Sequence, residues 1–346
     1  MKKLFNSILG ISLAMSLVAC GTDAAKEKET AETTTAETTV ENTTETTVDD
    51  SQTYSVGVIQ LVQHPALDAA TEGFTAALTE KLGDSVEINV QNASGDTATC
   101  ATIANSLVSD EVDLIMANAT PAMQASSTAT NTIPIVATSI TDYATALGIS
   151  DWTGTTGINV TGTSDLAPLD GQAEMLNELF PDAKEVGVIY CSGEDNSLYQ
   201  ANQITEYLKE YGYNVTAYTF SDSADVATVV QTACGASDVL YVPTDNVAAS
   251  CAETINNVAL TAGVPIIAGE EGICKGCGIA TLSISYYDIG YAAGLMAYGI
   301  LVNGQDPASY EIQYATEFTK EYNPVIAEEL GITLPEDYVA IEMDAE

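Results

Sequence analysis

Polar residues suited to holding a ligand recur in this chain just after short apolar runs. Gln60, His64 and Asp68 end or follow SVGVIQ (residues 55–60), Ala119 and Thr120 follow VDLIMA (112–117), and Ser139 follows TIPIVA (132–137). Further along, Glu194, Asn196 and Ser197 follow EVGVIY (185–190). Thr244, Asp245 and Asn246 follow SDVLYV (237–242), and Glu270 follows GVPIIA (263–268). Carboxylates, amides, hydroxyls and one imidazole can pair a cation or hydrogen-bond an anion. The patterns needed for covalent chemistry are missing: no Gly-x-Ser-x-Gly elbow, no Gly-x-x-x-x-Gly-Lys phosphate loop, no His pair for a metal. With one His, acid–base work would fall to carboxylates, and among 49 acids chance carboxylate pairs are inevitable. The set reads as a binding constellation without metal or cofactor. Helix N-capping, worth about 1 kcal/mol each, is the competing role for Thr120, Asn196 and Asp245.

The elements that position these residues alternate. A β-branched run at 55–60 precedes a helical pattern at 65–82, with apolar residues at Leu67, Ala70, Phe74, Leu78 and Leu82, Pro65 in the first turn and Gly83 at the end. Strands at 86–90, 112–117 and 133–137 and helices at 97–109 and from 121 onward follow. Such alternation implies a parallel sheet covered on both faces. The pattern then restarts. Gly57 and Gly187 are 130 positions apart, Asp113 and Asp238 125, Pro134 and Pro265 131, each pair at the same place in an echoed strand. An internal duplication follows, and the fold class is α/β with two doubly wound parallel-sheet lobes. Open parallel sheets bind ligands at the carboxyl ends of their strands, which is where the polar clusters fall in both halves.

Composition narrows the partners. All nine basic residues are Lys, against 49 acids, for a net charge of −40. Nucleic acid is excluded as a partner, because binding it requires a basic face. The missing Arg removes the bidentate clamp for carboxylate and phosphate. At the N-terminus, Lys2 and Lys3 precede an apolar stretch from 4 to 19, shorter than the ~20 residues that span a bilayer. Residues 1–19 read as an export signal. The run Leu17-Val18-Ala19-Cys20 resembles the bacterial lipobox, which implies cleavage before Cys20 and its lipidation. Residues 20–52, rich in Thr and Glu, form an acidic tether with a reach of roughly 30 Å. An extracytoplasmic body held to the membrane by lipid is the expectation.

Several stretches carry a family resemblance. They are Gly57-Val58-Ile59-Gln60 with His64-Pro65-Ala66-Leu67-Asp68, Ala119-Thr120-Pro121-Ala122, and Asn159 to Leu166. Glu194-Asp195-Asn196-Ser197, Tyr241 to Asn246, and Ser285-Tyr286-Tyr287-Asp288-Ile289-Gly290 complete the set. In this order they resemble the ABC transporter substrate-binding proteins of the tryptophan/tyrosine-uptake type. The resemblance implies a type I periplasmic-binding-protein architecture, a monomer, permease and ATPase partners, and an amino acid ligand, most often aromatic, gripped by hinge closure. It places the first lobe at 53–143 plus 284–309 and the second at 144–283 plus 310–346. Crossings would lie near 142–159, 283 and 310–317. Glu270-Glu271, where relatives commonly have Asp, and the following Cys274-Lys275-Gly276-Cys277 depart from the pattern.

A zwitterion bound without Arg needs a buried carboxylate for its ammonium, Asp245 first and Glu270 second. Its carboxylate would rest on Thr120, Asn196 and Ser197 at helix starts, with Ser139 and Thr244 adding contacts. His64, Tyr143, Trp152 and Tyr190 are the candidates for the side-chain pocket. A nucleoside or sugar receptor on the same fold, and a sensor uncoupled from transport, are the alternative readings. Beyond Cys20, six cysteines leave fifteen pairings open, and a Cys274–Cys277 disulfide, free thiols or a metal site are all compatible with the spacing.

Overall fold

The computed structural model describes residues 52–343. The signal, Cys20 and nearly all of the tether lie outside the described residues. The first part of the body runs β1 (Tyr54–Gln60), α1 (Pro65–Leu82), β2 (Val86–Asn92), α2 (Thr97–Ser109), β3 (Leu114–Asn118), α3 (Thr120–Ala129), β4 (Ile135–Ile140), α4 (Tyr143–Leu147) and β5 (Val160–Ser164). The second runs α5 (Leu169–Leu179), β6 (Glu185–Cys191), α6 (Asp195–Glu210), β7 (Asn214–Phe220), α7 (Val226–Cys234), β8 (Val239–Val242), α8 (Asn246–Ser250), α9 (Ala252–Ala262), β9 (Ile266–Ala268), α10 (Glu271–Cys277) and β10 (Ala280–Ser283). The chain ends with α11 (Tyr286–Asn303), β11 (Gln313–Tyr314), β12 (Thr319–Tyr322), α12 (Pro324–Leu330) and β13 (Val339–Ala340).

One sheet has the order β11-β5-β4-β3-β1-β2 and the other β13-β12-β10-β9-β8-β6-β7. The shared pattern, second strand, first, third, fourth, fifth, repeats the doubly wound topology in each half and bears out the α/β duplication. Pairing is parallel except for β10 with β12. The inner strands β3, β4 and β8 are buried throughout, which is why they read as apolar runs rather than alternating ones. The helix α11 returns to the first lobe and lies against α1 with backbones almost touching. A Cβ on Gly290 would sit 2.1 Å from the Ala70 carbonyl oxygen.

The lobe boundaries differ from the sequence expectation. β5 pairs in parallel with β4, Ile135 opposite Val160, so the first lobe continues through Ser164 instead of ending at 143. Leu147 and Trp152, within the supposed crossing, pack on the first-lobe core. β11 adds to the edge of the same sheet beside β5, so residues 313–314 also belong there. The reason β5 was hidden is its sequence, VTGTS. Its hydroxyls bury because they find partners: Thr161 Oγ1 donates to the Tyr310 carbonyl, Thr163 Oγ1 to that of Ile289 and Ser164 Oγ to that of Thr141. Crossings therefore fall at residues 165–168, 284–285 and 315–318.

Between β4 and β5 the register shifts, and Ser139 adopts φ +58° and Gly162 φ +148°. A Cβ on Gly162 would lie 1.8 Å from the Ala137 carbonyl oxygen and 2.6 Å from the Tyr143 hydroxyl. Gly162→Ala should cost about 3 kcal/mol or more, since the obstructing atom is backbone and the conformation itself excludes a side chain. Urea unfolding of the variant measures this; an unchanged midpoint would show that the strand can shift.

Candidate functional site

The strand ends of the two sheets face each other, and between them lies a tight polar cavity of about 10 Å³, room for about one water, so an amino acid enters only as the lobes part or repack. His64, Leu67, Ser139 and Tyr286 line it from the first lobe and Asp165 from the first crossing. Asn196, Thr244, Asp245, Asn246, Ala249 and Glu270 line it from the second lobe. Polar bridges span the cleft. His64 Nε2 meets Asn246 Oδ1 at 3.3 Å, Gln124 Nε2 donates to Asp195 Oδ2 at 2.9 Å, and Gln200 Nε2 donates to Thr141 Oγ1 at 3.3 Å.

Seven of the residues singled out in the sequence line this cavity: His64, Ser139, Asn196, Thr244, Asp245, Asn246 and Glu270. Gln60, Asp68, Ala119, Thr120, Glu194 and Ser197 do not. Gln60 donates to Asp68 Oδ1 at 2.6 Å and to the Val62 carbonyl, and accepts from Thr71, which shapes the turn into α1. Ala119, at φ +89°, and Thr120 form the buried start of α3. Ser197 is buried beneath Asn196, whose amide donates to it at 3.3 Å. Glu194 borders an outer groove and accepts from the backbone of Asn246 and Val247.

Asp165, Tyr286, Leu67 and Ala249 were not selected from the sequence. Asp165 matters most. It is 4% exposed, accepts from Thr141 Oγ1 and Tyr286 Oη at 3.0 Å each, and sits where the chain crosses between lobes. The only signal for it was position, directly after a polar strand within the resembling stretch. The proposed aromatic pocket residues lie elsewhere. Tyr143 is in the first-lobe core, donating to the carbonyls of Ala137 and Thr163, Trp152 packs on that core, and Tyr190 belongs to a second-lobe core.

Capping and cavity lining coincide at two carboxylates. Asp245 caps α8 through Ala248 N at 2.8 Å and accepts from Cys191 N at 2.6 Å. Glu270 caps α10 through Gly272 N and Ile273 N at 2.6 and 2.5 Å. Burial dominates the electrostatics here. It pushes Glu270 up to about 7 against the pull of those amides, and Asp165 up to about 6 against the two hydroxyls. Asp245 is raised by burial, and Glu194 by burial and then by the charge of Asp245. Burial lowers His64, offset in part by Asn246 and Asp68, which favours the neutral ring. No lysine lines the cavity.

Among the described residues, five buried side-chain atoms lack a hydrogen-bond partner: His64 Nδ1, Asn118 Oδ1, Ser139 Oγ, Asn196 Oδ1 and Thr281 Oγ1. Three of the five belong to residues lining this cavity. Buried polar atoms are ordinarily paired, so this concentration marks the cavity as the place where a polar guest completes the set. Asn196 corrects an expected role. Its amide nitrogen is committed to Glu194 Oε2 and the Thr244 carbonyl, leaving an acceptor, unsuited to a guest carboxylate. Acceptors predominate overall, and an acceptor-rich cavity of raised carboxylates favours a cationic group.

The cysteines take no part. All six in the described residues are free. Cys274 and Cys277 are one helical turn apart on α10, buried as free thiols whose pKa values burial raises. Among the described residues no group of three or more His, Cys, Asp or Glu could hold a metal, and no helix is long and apolar enough to cross a membrane.

With the two-lobed body and its interlobe cavity in place, similarity to known proteins decides the family. Residues 55–344 match the family of ABC transporter substrate binding proteins. The chain belongs to that family. A protein of Clostridioides difficile named as a tyrosine-binding protein is 40% identical over 256 residues, covering 73% of this chain and 74% of the relative. The structure of a Streptococcus pneumonia ABC domain in complex with L-Trp is 33% identical, covers 82% of this chain and 97% of its own, and superposes with TM-score 0.79. A ligand-free, open substrate-binding protein with adhesive properties from Clostridium difficile is 35% identical, covers 84% and 100%, and scores 0.65. At nearly equal identity this chain superposes better on the L-Trp complex than on the ligand-free, open structure, and side-chain contacts bridge its own lobes. As a substrate-binding protein of this family, the chain works outside the cytoplasm.

Proposed function

We propose that this substrate-binding protein captures a free aromatic amino acid, tyrosine or tryptophan, between its lobes and delivers it to an ABC permease and its ATPase. The observation that carries the reading is the acceptor-rich cavity, with buried carboxylates on the hinge and second lobe and unpartnered acceptors on both sides. The α-ammonium would lie among Asp165, Asp245, Glu270, His64 Nδ1 and Asn196 Oδ1. Ser139 Oγ and the Thr244 hydroxyl, which line the same cavity, would take the carboxylate. The tyrosine-binding and L-Trp-bound relatives support an aromatic side chain. Ligand bridging both lobes favours the closed state, so binding and closure are linked. Residues 1–19 would direct export and Cys20 would carry the lipid, with 20–52 as tether and the body acting as a monomer.

The test is a melting-temperature screen of the purified protein against L-amino acids, nucleosides and sugars. Tyrosine or tryptophan should raise the melting temperature with micromolar affinity, about −8 kcal/mol. Desamino tyrosine should not. A rise with a nucleoside or sugar, and none with any amino acid, would overturn the reading.

A further inference from the structure

We infer that Glu194 is a positioning residue that, through Asn246, fixes which nitrogen of His64 carries the proton and so turns the ring's lone pair toward the guest. The inference deepens the reading of the cavity as an ammonium site and rests on it. Glu194 Oε2 accepts from Asn246 Nδ2 at 2.5 Å and from Asn246 N at 3.2 Å, while Oε1 accepts from Val247 N at 3.1 Å. Three donors converge on Oε2 once Asn196 Nδ2 is included, so that oxygen acts as an acceptor whether or not the carboxyl carries a proton elsewhere.

The Asn246 amide therefore has one orientation. Its nitrogen faces Glu194 and its oxygen faces His64 Nε2 across the cleft, 3.3 Å away. An amide oxygen only accepts, so Nε2 is the protonated nitrogen. In a neutral ring Nδ1 is then a bare lone pair, and Nδ1 is the ring atom left without a partner. Asp68 on its own helix, together with Asp165, Asp245, Glu270 and Tyr286 around the cavity, are the titratable groups near the ring. The opposite tautomer would aim an N–H at the guest's ammonium and repel it. The relay also crosses from the second lobe to the first.

This chain has a single His, so a protein labelled with ¹⁵N-histidine gives the spectrum of one imidazole. At pH 7 without added ligand, Nε2 should resonate as a protonated, pyrrole-type nitrogen and Nδ1 as an unprotonated, pyridine-type one. Glu194→Gln keeps an acceptor for Asn246 and should preserve that pattern, whereas Asn246→Leu should yield a mixture of tautomers. L-tyrosine should move the Nδ1 signal in the direction of an accepted hydrogen bond and leave Nε2 in place. A wild-type ring protonated at Nδ1, or a pattern unchanged in Asn246→Leu, would overturn the inference. The wild-type spectrum decides even if a variant fails to fold. Should the tautomer be as stated and tyrosine shift neither nitrogen, the ligand assignment fails while the relay stands.

Discussion

Asp165→Asn should weaken L-tyrosine binding by about 30-fold or more and leave the ligand-free protein at least as stable as the parent. The carboxylate is buried and compensated chiefly by neutral hydroxyls from Thr141 and Tyr286, with its own backbone N–H, and lacks the pairs of backbone amides that hold Asp245 and Glu270. Burial holds it up at about 6, so ionising it inside the closed body is costly until a cation arrives. Losing one partner of a buried, hydrogen-bonded charge pair typically costs about 2–5 kcal/mol, and each 1.4 kcal/mol is tenfold in affinity. The amide keeps an acceptor for one hydroxyl and offers its NH₂ to the other, without the charge. Titration calorimetry of the two proteins with tyrosine, beside their melting curves without ligand, measures both halves. An affinity unchanged by the substitution would remove Asp165 from the site.

Acidity should work in opposite directions on the free protein and on binding. Glu270, pushed up to about 7, and Asp165, to about 6, take protons in the folded state well before their unfolded counterparts near pH 4. From pH 7 down to about 4.5 the native state therefore binds more protons than the unfolded state. The ligand-free protein should gain stability over that window as pH falls. The gain ends once both states are protonated. A guest ammonium needs the ionised carboxylates, so tyrosine affinity should be full above about pH 7.5 and fall by up to about tenfold per pH unit for each proton that must leave. Melting temperatures with and without tyrosine from pH 4.5 to 8 report both trends. Falling ligand-free stability, with affinity flat across the same range, would refute the ammonium seat.

How far the sequence revealed the site depended on local signals. Strand ends in both halves were legible because β1 and β6, β3 and β8, β4 and β9 repeat similar apolar runs, and doubly wound topology places function at their carboxyl ends. Asp245, Asn246 and Glu270 were found that way. Asp165 was missed because nothing beside it marks burial. Its partners Thr141 and Tyr286 are 24 and 121 positions away. β5 escaped for a related reason. Its buried threonines and serine look like linker chemistry until their distant carbonyl partners are known. Orientation was also illegible: Asn196 could have offered an N–H or an oxygen, and only the acceptors around its NH₂ decided for the oxygen.

The most direct measurement of the central claim is a crystal structure of the protein with L-tyrosine bound. The ammonium nitrogen should lie within hydrogen-bonding distance of His64 Nδ1 or Asn196 Oδ1 and of a carboxylate from Asp165, Asp245 or Glu270, with both lobes in contact with the ligand. Tyrosine seated outside this cavity, touching one lobe only, or turned so that its carboxylate meets those acids, would contradict it.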